Sequence, residues 1–299
     1  MFSILIPTWN NLKMLKLCVR ALRTHSHYAH QIILHINEGS DGTRAWADAE
    51  KIDYTWSEKN IGICTAVNQA FSLAKNDFIV YMNDDMYTLP DWDLPLVKEI
   101  KSISSFGFQI SKSEMESSEI QNSKPIPLFM LSGTMIEPFQ RNNDCQIVAV
   151  YGRSTEDFQE ERLLREYKNF VKSDWSGACW PPNVVSREAW LLIGGFSVEF
   201  SPGMYSDPDF AMKLWSVGCR IFRGIGDSRV YHFQARSTGR IKKNNGRIQF
   251  MQKWRLPASA FFKYYLRMGT PPQNKLDEPV DDINLKFQKL KARFHSVRD

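Results

Sequence analysis

Hydrophobic and polar positions follow two different periods along the first 85 residues. Short apolar runs, typical of strands buried on both faces of a sheet, predict strands at 4–6, 31–36, 51–57 and 77–82. Between these runs, apolar residues at helical spacing predict helices at 11–24, 43–50 and 63–75. Strands that alternate with helices in this way favour an α/β fold with a largely parallel sheet.

The middle of the chain is less regular. Residues 111–125 are polar and predict a loop, whereas 154–172 predict a charged helix. A further helix begins near Asp207 and ends at Gly218, a residue typical of helix C-termini. Two short strands are expected beyond it, at 219–225 and 228–234.

The last 60 residues are basic and aromatic. The segment 261–268, FFKYYLRM, suits a buried position and a membrane contact equally well. Three arrangements therefore stay open for this region: packing on the domain, pairing with a second copy in a homodimer, or peripheral contact with a membrane.

Polar residues follow three of the predicted strands at the point where each strand ends. They are Thr8-Trp9-Asn10, Glu38 and Asp84-Asp85. In open α/β sheets, ligands bind outside the carboxyl ends of the strands. We therefore expect these three segments to converge on one binding site.

Asp84 and Asp85 are neighbouring carboxylates that end a buried strand, and like charges at this distance repel. One interpretation is a turn, in which aspartate is common. The other is a site for Mg²⁺ or Mn²⁺, which binds through one or two carboxylates together with substrate phosphates. A metal would let the two charges coexist and would also hold a diphosphate.

Three other residues have a structural and a functional interpretation. Asp207 suits the N-cap of a helix with Pro208 as its first residue and Ser206 and Asp209 as a capping box, but it also suits a general base. His232 ends a strand and is either structural or a metal ligand. Trp9 belongs either to the core or to a surface that stacks on a nucleotide base.

Composition narrows the class of protein. The chain has 299 residues and a net charge of +5, an excess too mild to indicate binding to nucleic acid. Its five scattered cysteines indicate reduced, buried thiols in a cytoplasmic protein. We expect no signal peptide and no membrane span, because the chain contains neither a signal-peptide pattern nor about 20 consecutive apolar residues. The basic helical stripe of Lys13, Lys16, Arg20 and Arg23 favours a solvated face over attraction to anionic lipid.

Four segments, taken in order, resemble the large inverting glycosyltransferase family 2 of the GT-A fold. They are FSILIPTWNNLKMLKLCVRAL, HINEGSDGT, EKNIGICTAVNQAFSLAKNDFIVYMNDD and GGFSVEFSPGMYSDPDFAMKLWSVGCRI. The resemblance covers about residues 2–240. It implies a Rossmann-like, mixed, mostly parallel sheet flanked by helices, with a nucleotide-sugar-binding half at 1–100 and an acceptor half at 101–240. Residues 241–299 would then form a helical C-terminal extension.

The resemblance also implies an activity. Members transfer a sugar from a nucleotide-diphosphate donor, here a UDP-sugar, to an acceptor hydroxyl with inversion, and they use Mn²⁺ or Mg²⁺. The expected partners are a nucleotide-sugar and a glycan or lipid-linked acceptor in surface polysaccharide or glycan synthesis. The expected location is the cytoplasm, including the inner face of the membrane.

By resemblance, roles pass to individual residues of this chain. Asp207 would be the catalytic base, Asp85 would bind the metal, and His232 would contact the metal or the diphosphate. The remaining positions would bind the donor: Pro7, Thr8, Trp9, Asn10, Glu38, Asn60, Gly62, Asn83 and Asp84.

The chain departs from the family pattern at three of these positions. Asn83 stands where the first carboxylate of the Asp-x-Asp motif is expected, which leaves Asp85 as the metal-binding carboxylate. Ser206 replaces the usual glutamate before Asp207, and this favours Asp207 as the base. Glu38 is longer than the usual aspartate, so the preferred nucleotide base stays open.

Two other functions stay as alternatives. A metal-dependent nucleotidyltransferase would carry a glycine-rich loop after the first strand, and residues 6–15 contain no glycine. An inactive relative that binds glycans would use the aromatic region around Trp180-Pro181-Pro182.

Overall fold

The computed structural model describes residues 1–114, 128–140, 144–234 and 241–295. Ten strands in these residues form one sheet. The strands are β1 (Phe2–Trp9), β2 (Gln31–Asn37), β3 (Asp53–Ser57), β4 (Phe78–Tyr81), β5 (Met86–Thr88), β6 (Phe129–Glu137), β7 (Ile147–Val148), β8 (Trp175–Ser176), β9 (Asn183–Ser186) and β10 (Ile221–His232).

Helices flank this sheet. They are α1 (Leu12–His25), α2 (Thr43–Ala49), α3 (Gly62–Phe71), α4 (Asp93–Glu114), α5 (Glu160–Glu166), α6 (Arg187–Ile193), α7 (Ser206–Ser216), α8 (Gly246–Trp254), α9 (Ala258–Ala260) and α10 (Ile283–His295). Single 3₁₀ turns occupy Tyr167–Asn169 and Val198–Phe200, and a π-helical turn occupies Phe261–Tyr265.

The order of strands in the sheet is β3-β2-β1-β4-β9-β6-β10-β5. The first four strands of the chain pair in parallel, and β10 pairs in parallel with β6. β9 runs antiparallel between β4 and β6, and β5 runs antiparallel at the edge. The predicted α/β class, with a mixed and mostly parallel sheet between helices, is confirmed.

Alternate residues of the central strands enter two hydrophobic layers, one on each face of the sheet. Ile4 and Ile6 pack with α1 in one layer, whereas Leu5 packs with α3 and α7 in the other. Successive side chains of a strand point to opposite faces, so the uninterrupted apolar run in β1 reflects burial on both sides.

Two predicted elements differ from the structure. The helix predicted at 154–172 is only α5 and one 3₁₀ turn, because Asp157 accepts hydrogen bonds from the backbone N–H groups of Arg153 and Ser154 at 2.9 and 2.7 Å and holds a turn instead. The two strands predicted at 219–225 and 228–234 are one strand, β10, with an irregularity between Ile225 and Arg229. Residues 111–114 of the predicted loop are helical, since α4 continues to Glu114, and residues 115–125 lie outside the described residues.

The C-terminal extension packs on the rest of the chain. Phe250, Phe261 and Leu266 are buried in the same core as α7. Gly269 N–H donates to the carbonyl of Ser176 in β8 at 3.0 Å, which adds a backbone connection. Of the arrangements left open by the sequence, packing on the domain therefore describes this part, and the segment 261–268 contributes to the core.

Most of the basic stripe on α1 is ion-paired. Lys13 and Arg20 contact Glu156 and Glu160 at 2.9 and 2.7 Å, and Arg23 pairs with Glu50. The stripe is therefore a face neutralised by neighbouring carboxylates, in keeping with the solvated interpretation.

All five cysteines are free and buried, as predicted. Among the described residues, no helix combines the length and apolar character that crossing a bilayer requires.

Replacing Phe261 tests whether the extension is part of the core. Phe261 is fully buried, so we expect Phe261→Ala to lower the free energy of unfolding by about 3–5 kcal/mol. Phe287→Ala is the matched control, because Phe287 is 62% exposed and its loss should change stability by less than about 0.5 kcal/mol. Urea denaturation measures both. Equal, small effects of the two substitutions would contradict the observed packing.

Candidate active site

The carboxyl ends of β1, β2 and β3 lie side by side. Trp9 pairs with Asn37, and Asn37 pairs with Ser57, so the residues that follow each strand are neighbours. Asn10 Nδ2 donates a hydrogen bond to Glu38 Oε2 at 3.0 Å. Both residues have positive φ angles, 44° and 61°, a strained backbone state that is concentrated at functional sites.

Asp84 joins this edge from β4. Its Oδ2 accepts a hydrogen bond from Thr8 Oγ1 at 2.7 Å, which connects the ends of β1 and β4. Asn83, the residue before it, accepts a hydrogen bond from the Tyr81 hydroxyl through Oδ1 at 2.9 Å. The structure thus brings together the strand-end residues that the sequence predicted to converge. Pro7 and Trp9 are half-buried on the same strand end.

The loop before α3 is ordered by side-chain amides. Asn60 Oδ1 accepts from the N–H of Gly62 at 2.9 Å, and Asn37 Oδ1 accepts from the N–H of Ile61 at 2.9 Å. Gly62 has a φ of +77°, and a Cβ there would lie 2.9 Å from Cα of Pro202. A glycine is therefore needed where the loop of residues 201–205 crosses the start of α3.

A second group of residues forms because β10 has neighbours on both sides. Met86 of β5 pairs with His232, and Ile136 of β6 pairs with Tyr231. These registers place Asp85 and Glu137, which adjoin the paired positions, on either side of the imidazole. His232 Nδ1 lies 2.7 Å from Glu137 Oε1, and Nε2 lies 3.3 Å from Asp85 Oδ1. All three side chains are buried.

The charges of this buried triad depend on one another. Burial by itself lowers the pKa of His232, but the charge of Asp85 and hydrogen bonds to Asp85 and Glu137 outweigh it and raise the pKa to about 9. The imidazolium then donates to both carboxylates. A cation thus lies beside Asp85 in the protein itself, which partly explains how the chain tolerates the Asp84-Asp85 pair.

Glu137 was not predicted from the sequence. It is the last residue of β6, every residue of which is buried. The sequence does contain a signal for Glu137, which is a charged residue directly after the apolar pair Met135-Ile136. A charged side chain that is buried in such a strand needs a partner. The partner, His232, lies 95 residues away in the sequence, so only the strand pairing connects the two.

The residues around Asp85 fit a hard divalent cation bound with a diphosphate. Asp85 supplies a carboxylate and His232 supplies Nε2, while Glu137 holds Nδ1 of the same ring, an arrangement typical of metal-binding histidines. Within the described parts of the chain, no group of three or more His, Cys, Asp or Glu residues is arranged to hold a metal alone. Two protein ligands are sufficient where phosphate oxygens complete the coordination.

Asp207 does not lie at the position predicted for it in the helix. α7 begins at Ser206, its N-cap is Tyr205 with a φ of 67°, and Asp207 is in the first turn. The predicted capping box is also wrong. Ser206 Oγ donates to the carbonyl of Gly203 at 2.8 Å, and Asp209 is engaged by the extension instead. Asp207 is therefore not used as the helix cap.

Asp209 ties α7 to the extension. Its Oδ1 accepts hydrogen bonds from Trp254 Nε1 at 2.8 Å and from Lys253 Nζ at 2.9 Å, and its side chain is fully buried. A buried carboxylate requires such partners, and both come from α8. The position of the first turn of α7, and hence of Asp207, thus depends on the extension.

One cavity of about 530 Å³ lies beside His232 and the first turn of α7. Asp207 and His232 both line it, together with Asn83. Most of its remaining wall is apolar or aromatic. It comes from β6, from the loop before β9, from the start of α7 and the loop before it, and from the extension: Met135, Trp180, Pro181, Gly203, Met204, Tyr205, Pro208, Ala258, Ser259 and Phe262. A substrate in this cavity would lie against both Asp207 and His232.

The raised pKa of His232 predicts a pH dependence for the metal-free protein. Because the folded-state pKa of about 9 lies above the unfolded value of 6.5, the stabilisation is complete below pH 6.5 and is lost as the pH rises towards 9. Urea denaturation in EDTA between pH 6 and pH 10 measures this loss. His232→Gln should remove this component of the pH profile, and Glu137→Gln should reduce it. Identical profiles for all three proteins would contradict the assignment.

A model of glycosyl transferase family 2 matches residues 3–188. A comparison with curated proteins found no match.

Solved structures of TarS from S. aureus share the fold. TarS 1–349 aligns with a TM-score of 0.52 and 13% identity over 84% of this chain and 63% of that one. A longer TarS structure aligns with a TM-score of 0.52 and 12% identity over 87% of this chain and 39% of that one. The complex of TarS 1–349 with UDP-GlcNAc has a TM-score of 0.53 and 13% identity, covering 84% and 64% of the two chains. The present chain thus spans less than two thirds of these neighbours. The similarity confirms the predicted α/β architecture of GT-A type.

Proposed function

Because the chain belongs to glycosyl transferase family 2, we propose that it transfers a sugar from a nucleotide-diphosphate donor to an acceptor hydroxyl, with inversion at the anomeric carbon. The observation that carries this proposal is the shared cavity, in which Asp207 faces the same space as His232. Inverting transfer needs a base on one side of the sugar and a charge-stabilised leaving group on the other.

In this proposal the donor lies along the carboxyl ends of β1 to β4. Thr8, Asn10, Glu38 and Asp84 supply hydrogen-bonding groups there, and Asn60 orders the adjoining loop. We assign residues 1–100 to donor binding and 101–240 to the acceptor side. UDP is the favoured nucleotide, because structural neighbours of this chain were solved with UDP and with UDP-GlcNAc.

Mn²⁺ or Mg²⁺ is part of the same proposal. Asp85 and His232 Nε2 would hold the ion, which when bound supplies positive charge that neutralises the leaving diphosphate. For His232 to offer a lone pair at Nε2, its remaining proton must lie on Nδ1, where Glu137 Oε1 accepts it. Glu137 thus selects the tautomer and orients the ring.

Asp207 is the proposed general base. Its carboxylate accepts the proton of the acceptor hydroxyl as that oxygen forms a bond to the anomeric carbon. The bond from this carbon to the donor phosphate breaks in the same displacement, so the configuration inverts without a covalent enzyme intermediate. The first turn of α7 is held by Asp209, which fixes the direction of the base.

The wall of the cavity favours a sugar ring as acceptor. Trp180 and Phe262 pack edge to face with centroids 5.3 Å apart, and both line the cavity. Aromatic faces of this kind cover the apolar side of a bound ring, while the hydroxyl groups face polar partners. We propose a glycan or lipid-linked glycan acceptor, in surface polysaccharide or glycan synthesis in the cytoplasm.

Asp207→Asn tests the role of the base. We expect turnover to fall by about 10²- to 10⁴-fold because the amide cannot accept the proton, while donor binding stays nearly unchanged. Asp277→Asn is a control on a side chain that is 82% exposed, and its turnover should equal that of the wild type. Donor binding is measured by calorimetry and turnover by nucleotide release. Wild-type turnover in Asp207→Asn would overturn the assignment.

Nucleotide binding tests the donor class and the metal. UDP, GDP, dTDP and CDP are compared by thermal shift with Mn²⁺, Mg²⁺ or EDTA, since a ligand that binds the folded state raises its apparent stability. We expect a metal-dependent shift with UDP that is lost in Asp85→Ala.

Each other outcome of this panel has a defined meaning. A shift with another nucleotide would retain the transferase proposal and change the donor. The absence of any shift would favour an inactive glycan-binding relative. A shift that persists in EDTA and in Asp85→Ala would remove the metal from the proposal.

A further inference from the structure

α10 carries two opposite faces. Leu285 and Ala292 are fully buried, and the helix packs against α8 through this side. Four large apolar side chains of the same helix are exposed instead: Ile283 by 86%, Phe287 by 62%, Leu290 by 49% and Phe294 by 66%. Exposed apolar residues scattered singly are normal, but four on one short helix indicate a contact surface.

Helical geometry makes these four residues one stripe. Their spacing is four, three and four residues, so at about 100° per residue they fall within an arc of about 60°. Leu285 and Ala292 lie on the opposite side of the helix axis. The stripe, defined as Ile283, Phe287, Leu290 and Phe294, therefore points away from the protein along about 17 Å.

Basic residues lie beside the stripe on both sides. The same helical geometry puts Lys286 and Arg293 on one flank and Lys291 on the other, each about 70–90° from the centre of the stripe. The helix contains no Asp or Glu between residues 283 and 295. Of the two acidic residues just before it, Asp282 accepts from the N–H of Leu285 at 2.7 Å and Asp281 pairs with Lys289. The exposed face is thus apolar at its centre and cationic at its edges.

We propose that α10 docks on the surface of an anionic lipid bilayer. The stripe would enter the boundary between headgroups and acyl chains, and Lys286, Lys291 and Arg293 would extend to the lipid phosphates. Helices that lie in a membrane interface have this combination of an apolar face and basic flanks. The proposal rests on α10 alone and does not depend on the glycosyltransferase activity.

Charge favours a bilayer over a second copy of the chain as the occupant. A twofold pairing of two stripes would bring the basic flanks of one helix against those of the other. Since the helix carries no acidic side chain to pair with them, such a contact would be repulsive at its rim. Anionic headgroups match both flanks at once.

Vesicle co-sedimentation of the full chain tests the proposal. Vesicles of phosphatidylcholine alone are compared with vesicles containing equal parts of phosphatidylcholine and phosphatidylglycerol. We expect binding to the anionic vesicles to be at least tenfold stronger and to weaken with added salt. The fourfold variant Ile283→Ser, Phe287→Ser, Leu290→Ser, Phe294→Ser should lose at least tenfold of this binding.

Two further double variants test the contribution of the basic flanks to vesicle binding and the specificity of the effect for α10. The double variant Lys286→Gln, Lys291→Gln keeps the stripe. It should reduce binding to the anionic vesicles and leave binding to phosphatidylcholine vesicles unchanged. Leu191→Ser with Leu192→Ser is the matched control, because these residues of α6 are 59% and 56% exposed but lie far from α10 in sequence. Its vesicle binding should equal that of the wild type. Thermal unfolding confirms that each variant is folded before its binding is compared.

Several results would overturn the proposal. Absence of binding to anionic vesicles would do so directly, as would equal binding to both kinds of vesicle or equal loss in the α6 control. A dimer in light scattering that the fourfold variant abolishes, with no vesicle binding, would identify a second copy as the occupant. None of these results would affect nucleotide binding, so the glycosyltransferase proposal is tested separately.

Discussion

The pairing of β10 with β6 on one side and with β5 on the other is the interaction on which the site depends. It sets Glu137, His232 and Asp85 side by side in a buried position, although they come from distant parts of the chain. Two carboxylates and an imidazole in a poorly solvated place are stable only as a hydrogen-bonded unit. Within this unit, His232 also lines the cavity. Burial, charge compensation and the proposed binding of a metal diphosphate therefore have a common structural origin.

The C-terminal extension is part of the site as well as part of the core. Lys253 and Trp254 hold the buried carboxylate of Asp209, two residues from the proposed base, and Phe262 forms part of the cavity wall. The family model ends at residue 188, before any of these contributions. α10 continues the same extension, with one face on α8 and the other exposed. A bilayer bound to that face would lie beside α8, which holds the first turn of α7, and this would suit the proposed lipid-linked acceptor.

Several features were predictable because they depend on local pattern. Apolar runs and helical spacing located β1, β2, β4, α1 and α3. The positions just after the strands located the edge where Thr8, Glu38 and Asp84 lie close together. The errors arose where local contacts competed with the pattern. Hydrogen bonds to the Asp157 side chain stabilise a turn where a helix was predicted to start. The irregularity between Ile225 and Arg229 interrupts the strand pattern, so one strand was predicted as two. The sequence around Asp207 predicts a helix cap, but tertiary contacts prevent the predicted capping box, because the Asp209 carboxylate binds Trp254 and Lys253 of α8 instead.

The sequence by itself determined the α/β class, the family resemblance and the identity of most strand-end residues, because periodicity and the ends of strands are properties of short segments. Only the tertiary structure decided that Glu137 belongs with His232, that Gly62 is required by Pro202, and that the extension packs on α7 while α10 leaves an apolar stripe exposed. These facts depend on strand register and on contacts between residues far apart in the chain. Burial and the pairing of charges act across the folded molecule, and no local pattern encodes them.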